Sequence, residues 1–163
     1  MIVQLPTELD GTNDEPWRAA MRFFHRRWCG PAVSCCFKVR RKDNVQRRWS
    51  VVINGAGEAS TRDSPVWHIP KEETGGGSAW ASGFLFGLLA AGSGVSYADA
   101  RSVDLSSAIR SGDVLSSMCQ ESVGDHSTVR LPEFEKTMSD FPIGEEAYIG
   151  ITRSQVLTGA SKM

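Results

Sequence analysis

The chain has 163 residues, of which 40% are hydrophobic and 23% are charged. A chain of this length and composition can fold as one globular domain with its own core, which excludes wholesale disorder. Its net charge of −1 excludes no class of partner, but ten of its 18 basic residues lie between Arg18 and Arg48, where Asp43 is the only acid.

Neither the cysteines nor the hydrophobic runs point to secretion or to a membrane. The four cysteines lack the Cys-x-x-Cys spacing of metal and redox sites, and we interpret them as free thiols in a reducing compartment. No apolar run reaches the roughly 18–20 residues that span a bilayer, so no membrane span is expected. The N-terminus carries neither a secretion signal nor a transit peptide, so we predict an intracellular protein, in the cytoplasm or an organelle interior.

The first half of the chain predicts one helix followed by three strands. Residues 1–15 are acidic and are expected to form an N-terminal arm. From Trp17 to Trp28 apolar side chains recur every three or four residues with arginines opposite, which predicts an amphipathic helix. Strand-like runs follow, and a polar turn between the first two suggests a hairpin. These runs are Ala32–Val39, Arg47–Ile53 and Val66–Ile69.

The second half of the chain predicts mainly helices, with a break at Ser111-Gly112. Residues 139–163 are expected to form a C-terminal tail. Helices and strands that alternate in this way predict an α/β fold, a small sheet flanked by helices. The predicted helices are Ser78–Ala91, Tyr97–Arg110, Asp113–Glu121 and Leu131–Met138.

A glycine-rich stretch stands directly before the clearest of these helices. Gly75, Gly76 and Gly77 are consecutive, and an apolar helix-forming run follows them. Glycine lets a ligand approach the backbone, and the first amides of a helix point out of the same loop, where they bind anions such as phosphate. We therefore expect an anion or nucleotide site at Thr74, Gly75, Gly76, Gly77 and Ser78. The alternative is a tight strand-to-helix turn that binds nothing.

This stretch resembles the C-terminal signature of the ribokinase-like (PfkB) carbohydrate kinases, whose pattern is about D-T-T-G-A-G-D-A-F before a glycine-containing apolar helix. Two further segments match the 2-keto-3-deoxygluconate kinase branch in the same order. Residues 47–58, RRWSVVINGAGE, are similar to N-R-W-S-A-L-L-Y-D-G-G-E, and residues 131–135 correspond to the start of a helix like V-S-x-x-E-V-E. The resemblance implies that residues 16–138 form the C-terminal, nucleotide-binding half of such a kinase, with ATP and magnesium as the cofactors of the family.

The chain departs from this family at the position of the catalytic base. Where these kinases carry the aspartate that takes a proton from the sugar hydroxyl, this chain has Ser78. A serine hydroxyl does not accept a proton near neutral pH unaided, which predicts that phosphoryl transfer is lost. We interpret Ser78 as a helix N-cap. The alternative is that Glu72, Glu73 or Asp125 takes over as the base.

The basic segment between Arg18 and Arg48 allows three interpretations. Its side chains are simply solvated, they contact the phosphates of RNA or DNA beside neighbouring aromatic rings, or they dock onto an acidic protein surface. The three histidines are far apart and show no metal-ligand spacing, so no metal site is predicted. The residues expected at a nucleic-acid or partner contact are Arg22, Arg26, Arg27, Arg40, Arg41, Lys42, Arg47 and Arg48.

These features lead to three candidate functions. The first is a degenerate, inactive sugar kinase-like protein that serves as a structural or binding subunit of a larger complex. The second is an active ATP-dependent sugar or keto-sugar kinase subunit completed by another chain, and the third is a nucleic-acid-contacting protein that uses the basic segment. For the first, we expect other protein subunits or a second copy to bind at Trp17, Trp28 or Trp67, because half of a larger fold leaves an open sheet edge and exposed apolar surface.

Overall fold

The chain folds around a five-stranded mixed sheet, and helices pack on both faces of that sheet. The structure is a computed structural model that describes residues 15–28, 32–90, 104–123 and 128–160. The predicted α/β class is confirmed. The helices are α1 (Glu15–Trp28), α2 (Gly76–Ala90), α3 (Ser106–Gln120), α4 (Leu131–Asp140) and α5 (Arg153–Ala160). The strands are β1 (Ala32–Arg40), β2 (Gln46–Asn54), β3 (Gly57–Ser60), β4 (Val66–His68) and β5 (Ala147–Ile149).

The first two strands form the predicted hairpin. β1 and β2 pair antiparallel over their whole length, from Ala32 opposite Asn54 to Arg40 opposite Gln46. Asn44 lies in the turn between them, with a φ of 67° in the left-handed region that asparagine tolerates. Because β1 occupies one edge of β2, β3 and β4 share the other edge.

The central strand β2 is covered on both faces, because successive side chains of a strand point to opposite sides of the sheet. On one face Val51 and Ile53 pack with Met21 of α1. On the other face Val52 packs with Trp80 of α2 and with an isoleucine of α3. This alternation places α1 on one side of the sheet and the α2–α3 pair on the other.

α2 and α3 approach each other closely at glycine positions. A Cβ added to Gly83 would lie 2.5 Å from the carbonyl oxygen of Ser111, and one added to Gly112 would lie 2.9 Å from the indole ring of Trp80. α3 runs unbroken from Ser106 to Gln120. The predicted break at Ser111-Gly112 is therefore wrong, because Gly112 is a point of contact between the helices and not a helix end.

The C-terminal part of the chain contains elements that the sequence pattern did not assign. β5 pairs in parallel with β4, and α5 follows it. Residues 139–163, expected as a tail, thus contribute a strand to the same sheet. α4 begins as predicted at Leu131 and continues to Asp140. Among the described helices, none is long and apolar enough to cross a membrane.

Some predictions fall on residues that the structure does not describe. These are the arm up to residue 14, the segment 29–31 after α1, the part of the Tyr97–Arg110 helix before residue 104, and Asp125. Residues 106–110 of that predicted helix belong to α3, which begins at Ser106.

Candidate functional site

The glycine loop connects β4 to α2, and the helix starts inside it. Gly75 has a φ of 77°, and α2 begins at the next residue, Gly76. The exposed Ser78 therefore lies within the first helical turn, so its interpretation as the N-cap is wrong. The physical reason is the left-handed turn at Gly75, which lets the chain enter the helix before it reaches the serine.

The first turn of α2 presents backbone donors at the loop surface. Gly76 N donates to Glu73 O at 3.3 Å, and Ala79 N donates to Gly75 O at 2.9 Å. The amides of Gly77 and Ser78 lie in the first turn, where helix geometry provides no acceptor. Gly77 is exposed, and a Cβ added there would meet nothing within 4 Å. An anion can approach this side of the loop directly.

The other side of the loop rests on the last turn of α3. Lys71 N and Glu72 N donate to the backbone oxygen of Gln120, at 2.8 and 3.3 Å. The side-chain amide Nε2 of Gln120 donates to Glu73 O at 3.3 Å. A Cβ on Gly76 would lie 2.6 Å from the same Nε2 atom. Gln120 thus contacts the loop at residues 71, 72, 73 and 76.

A buried arginine and histidine complete this contact from β2 and β4. Arg48 Nη2 donates to Gln120 Oε1 at 2.7 Å, and Arg48 Nη1 donates to the hydroxyl of Ser116. Ser116 Oγ donates in turn to Gly76 O at 2.5 Å. His68 Nε2 lies 3.1 Å from Gln120 Oε1. Burial lowers the pKa of Arg48, and burial together with the nearby arginine charge lowers the pKa of His68 to about 3, so the imidazole is neutral.

Asp113 lies deeper, beneath the start of α2. Its carboxylate accepts hydrogen bonds from Ser50 Oγ at 2.5 Å, Thr61 Oγ1 at 2.6 Å and Trp80 Nε1 at 3.0 Å. The side chain is fully buried, and burial raises the pKa of the carboxyl while these hydrogen bonds oppose the rise. The carboxylate joins β2, α2 and α3, and it has no access to a ligand at the loop surface.

Two cations of β1 pair with a glutamate of the loop. Lys38 Nζ lies 3.7 Å from the carboxylate of Glu73, and Arg40 donates to the same carboxylate. All three side chains are about half exposed. The loop therefore carries two cations at its edge, and an acidic residue of the loop itself is their present partner.

The rest of the basic segment is divided among separate contacts. Arg22 donates to Glu15 at 2.8 Å and to Glu58 at 2.9 Å. Arg41 donates to the backbone oxygen of Val156 at 2.7 Å. Both arginines therefore bind within the protein. Arg22 connects α1 to β3, and Arg41 connects the hairpin turn to α5.

Two neighbouring arginines of β2 are also engaged within the protein. Arg47 lies over the rings of Trp49 and Trp67, at 5.0 and 5.8 Å from the ring centroids. Arg48 is 2% exposed, which corrects the expectation that it contacts nucleic acid or a partner. Arg22, Arg41, Arg47 and Arg48 are thus held in separate contacts within the protein. Three other basic residues were expected at the nucleic-acid or partner contact, and all three are exposed: Arg26, Arg27 and Lys42.

The end of α1 carries an exposed aromatic pair. Trp28 is 63% exposed and stacks on Phe24 with ring centroids 5.0 Å apart. The guanidinium of Arg27 lies 6.0 Å from the centroid of Trp28. Of the three tryptophans expected at a partner contact, Trp28 is the exposed one, and Trp17 and Trp67 are half-buried.

A cleft of about 400 Å³ opens near the approach to the glycine loop. Its lining includes Lys71 before the loop, Met118 and Glu121 at the end of α3, and Tyr148 and Gly150 near β5. Burial raises the pKa of Glu121, and Lys71 opposes the rise. The cleft shares Lys71 with the approach to the loop, and Gly77 and Ser78 are not among its lining residues.

The sequence analysis did not predict the cleft, and it did not predict the residues of α3 that contact the loop from below. The cleft is built partly from β5, which lies in the unassigned tail. The support had a visible signal, because Asp113, Ser116 and Gln120 recur at helical spacing in a segment whose other positions are mostly apolar or small. Among the described residues, no group of three or more metal-ligating side chains comes together.

No family model matches the chain, and no curated protein matches its sequence. Among solved structures, the chain is similar in fold to 2-dehydro-3-deoxygluconokinase from Thermotoga maritima, with a TM-score of 0.56 and 14% sequence identity. The match covers 81% of this chain and 36% of that enzyme's chain. The chain therefore shares the fold of about a third of that enzyme, as the resemblance of the sequence implied.

Proposed function

We propose that this chain is a sugar kinase-like protein that does not transfer phosphate and that acts as a binding or structural subunit of a larger complex. The observation that carries the proposal is Ser78, which is exposed in the first turn of α2. By the resemblance, a carboxylate stands at this position in the active kinases. A hydroxyl there provides no general base.

Two acids close to the loop, Glu73 and Asp113, are poorly suited to replace it. Glu73 is paired with Lys38 and Arg40, which hold its carboxylate at the edge of the loop. Asp113 is fully buried and accepts three hydrogen bonds from its own core. A base must lie within hydrogen-bond reach of the proton that it removes. This geometry argues against Glu73 and Asp113 as a relocated base.

Anion binding does not depend on the missing carboxylate. The amides of Gly77 and Ser78 can donate to a phosphate, and the half-exposed cations Lys38 and Arg40 lie beside Glu73 at the edge of the loop. Phosphoryl-transfer sites act largely through positioning and charge, so such a site can keep its ligand after it loses the chemistry.

The subunit role is supported by exposed apolar side chains at two places. Trp28 and Phe24 form the exposed pair on α1, and Leu85 and Leu89 are 56% and 64% exposed on α2. α2 carries no charged residue between Gly76 and Ala90. Exposed apolar patches mark protein contacts when they are large and contiguous, and these two groups of side chains are the candidates for such a contact.

The test combines turnover, binding and size measured on the same preparation. We expect no ATP-dependent phosphorylation of 2-keto-3-deoxygluconate, measurable binding of ATP or inorganic triphosphate by calorimetry, and a hydrodynamic mass above that of one chain or co-purification with another protein. Ser78→Asp is the matched variant, and we expect it to stay inactive because a base alone does not supply a sugar site. Turnover by the unmodified chain would refute the loss of catalysis, and a well-behaved monomer without partners would refute the subunit role.

A further inference from the structure

The glycine loop is held from below by two polar side chains of α3. Gln120 accepts from Lys71 N through its backbone oxygen and donates to Glu73 O through its side chain. Ser116, one turn earlier, donates to Gly76 O. We call Gln120 and Ser116 the loop clamp. Its contacts reach both the approach to the loop and the first residue of α2.

We propose that the loop clamp positions the glycine loop for anion binding, with Gln120 as its principal residue. The proposal rests on the proposed function, because it assigns supporting residues to the same site. Glu73 O accepts from both Gly76 N and Gln120 Nε2, each at 3.3 Å. One carbonyl thus joins the start of α2 to the clamp, and its direction sets where the next amides point.

The orientation of the Gln120 amide is fixed from its other end. Its Oε1 accepts from Arg48 Nη2 at 2.7 Å and lies 3.1 Å from Nε2 of the buried His68. Because these groups take the oxygen, the nitrogen must face the loop. Arg48 also donates to Ser116, so one buried guanidinium orients both members of the clamp.

Burial alone would not require this arrangement. Gln120 is 1% exposed and Ser116 is fully buried, and an apolar side chain of similar volume would fill either position. It would also leave Glu73 O or Gly76 O without its side-chain donor. Gly76 fits against the clamp because it has no Cβ, since that atom would lie 2.6 Å from Gln120 Nε2. The glycine at position 76 and the side chain of Gln120 are therefore sterically complementary.

The chain offers a matched pair of variants for the test. Ser116→Ala removes a hydroxyl that donates to the loop. Ser117→Ala removes an adjacent, equally buried hydroxyl that donates to Asp113 O within its own helix. Gln120→Met removes the larger contact without a change in charge. Each variant is measured by hydrogen exchange of the amides in residues 74–78 and by calorimetric binding of inorganic triphosphate.

We expect Gln120→Met and Ser116→Ala to speed amide exchange in the loop and to weaken triphosphate binding by about tenfold, the equivalent of one lost hydrogen bond. Ser117→Ala should leave both values within about twofold of the unmodified protein. Equal effects of the two serine variants, or unchanged loop exchange in both clamp variants, would overturn the proposal. If the unmodified protein does not bind triphosphate, the proposed anion site is wrong. The clamp is then judged by hydrogen exchange alone: faster loop exchange in Gln120→Met and Ser116→Ala, but not in Ser117→Ala, would still support it.

Discussion

The contact between α2 and α3 gives the sharpest stability prediction, because it requires a residue without a side chain at position 83. A Cβ at this position would lie 2.5 Å from the carbonyl oxygen of Ser111, 2.9 Å from its carbonyl carbon and 3.0 Å from Cα of Gly112. All three are backbone atoms, and no side-chain rotation can move them away. Gly83→Ala therefore forces the two helices apart.

Two effects of opposite sign determine the size of the change. Alanine favours a helix over glycine by about 1 kcal/mol. Overpacking of a closed contact costs about 1–3 kcal/mol, and the upper end applies where the neighbours are backbone. We expect a net loss of about 2 kcal/mol. For a domain of this length, 1 kcal/mol corresponds to roughly 2–4 °C, so the melting temperature should fall by roughly 4–8 °C.

The assay is thermal and urea unfolding of Gly83→Ala beside Gly77→Ala. The second variant makes the same change in the same helix at a position where the Cβ meets nothing within 4 Å. It should gain about 0.5–1 kcal/mol from helix propensity. If Gly83→Ala is as stable as the unmodified protein while Gly77→Ala behaves as expected, α2 and α3 do not lie as close as the structure places them.

Three further predictions concern the charges and the exposed surface. Glu73→Gln should raise triphosphate affinity by up to about fivefold, since Lys38 and Arg40 lose their carboxylate partner; unchanged affinity in calorimetry would show that these cations do not face the ligand. In the unfolded chain His68 takes up a proton near its ordinary pKa of 6.5, and in the fold only near 3. Stability should therefore fall as the pH drops between these values, by up to about 1.4 kcal/mol per pH unit, and urea unfolding of His68→Gln should show a shallower fall; equal slopes would contradict the neutral imidazole. Trp28→Ser should change the unfolding free energy by less than about 0.5 kcal/mol and reduce association in light scattering; full retention of the assembly would remove Trp28 from the contact.

The fold could be predicted where local patterns agree with the tertiary structure. The 3–4 spacing of apolar residues before Trp28 and the polar turn at Asn44 each predicted the right element, and the structure confirms α1 and the hairpin. Gly112 shows why the rest could not be predicted. Local propensity treats this glycine as a helix breaker, but its neighbour in space is Trp80, and only the packing of α2 on α3 reveals the reason for a glycine there.

The site was predictable in its loop but not in its support. Three glycines before an apolar helix are a local signal, and the structure places α2 there. Ser116 and Gln120 act on that loop from about 40 residues further along the chain. Arg48 was assigned to the surface because arginine is usually exposed, and its burial follows from partners that no local pattern contains.

The three glycines of the loop separate the two interpretations of the site, and Gly77 decides between them. Gly75 is required by its φ of 77°, and Gly76 by its contact with Gln120, so both would be needed in a tight turn that binds nothing. Gly77 has neither reason, because it is helical, exposed and free of neighbours, and alanine would be the more stable residue there. Close approach of a ligand to the backbone is the remaining physical use of a glycine at this position. We therefore expect Gly77→Ala to raise the melting temperature and to weaken triphosphate binding by about tenfold, since the methyl group occupies the path to the amides. If the variant gains stability and binds triphosphate as well as the unmodified chain, the loop is a turn and not an anion site.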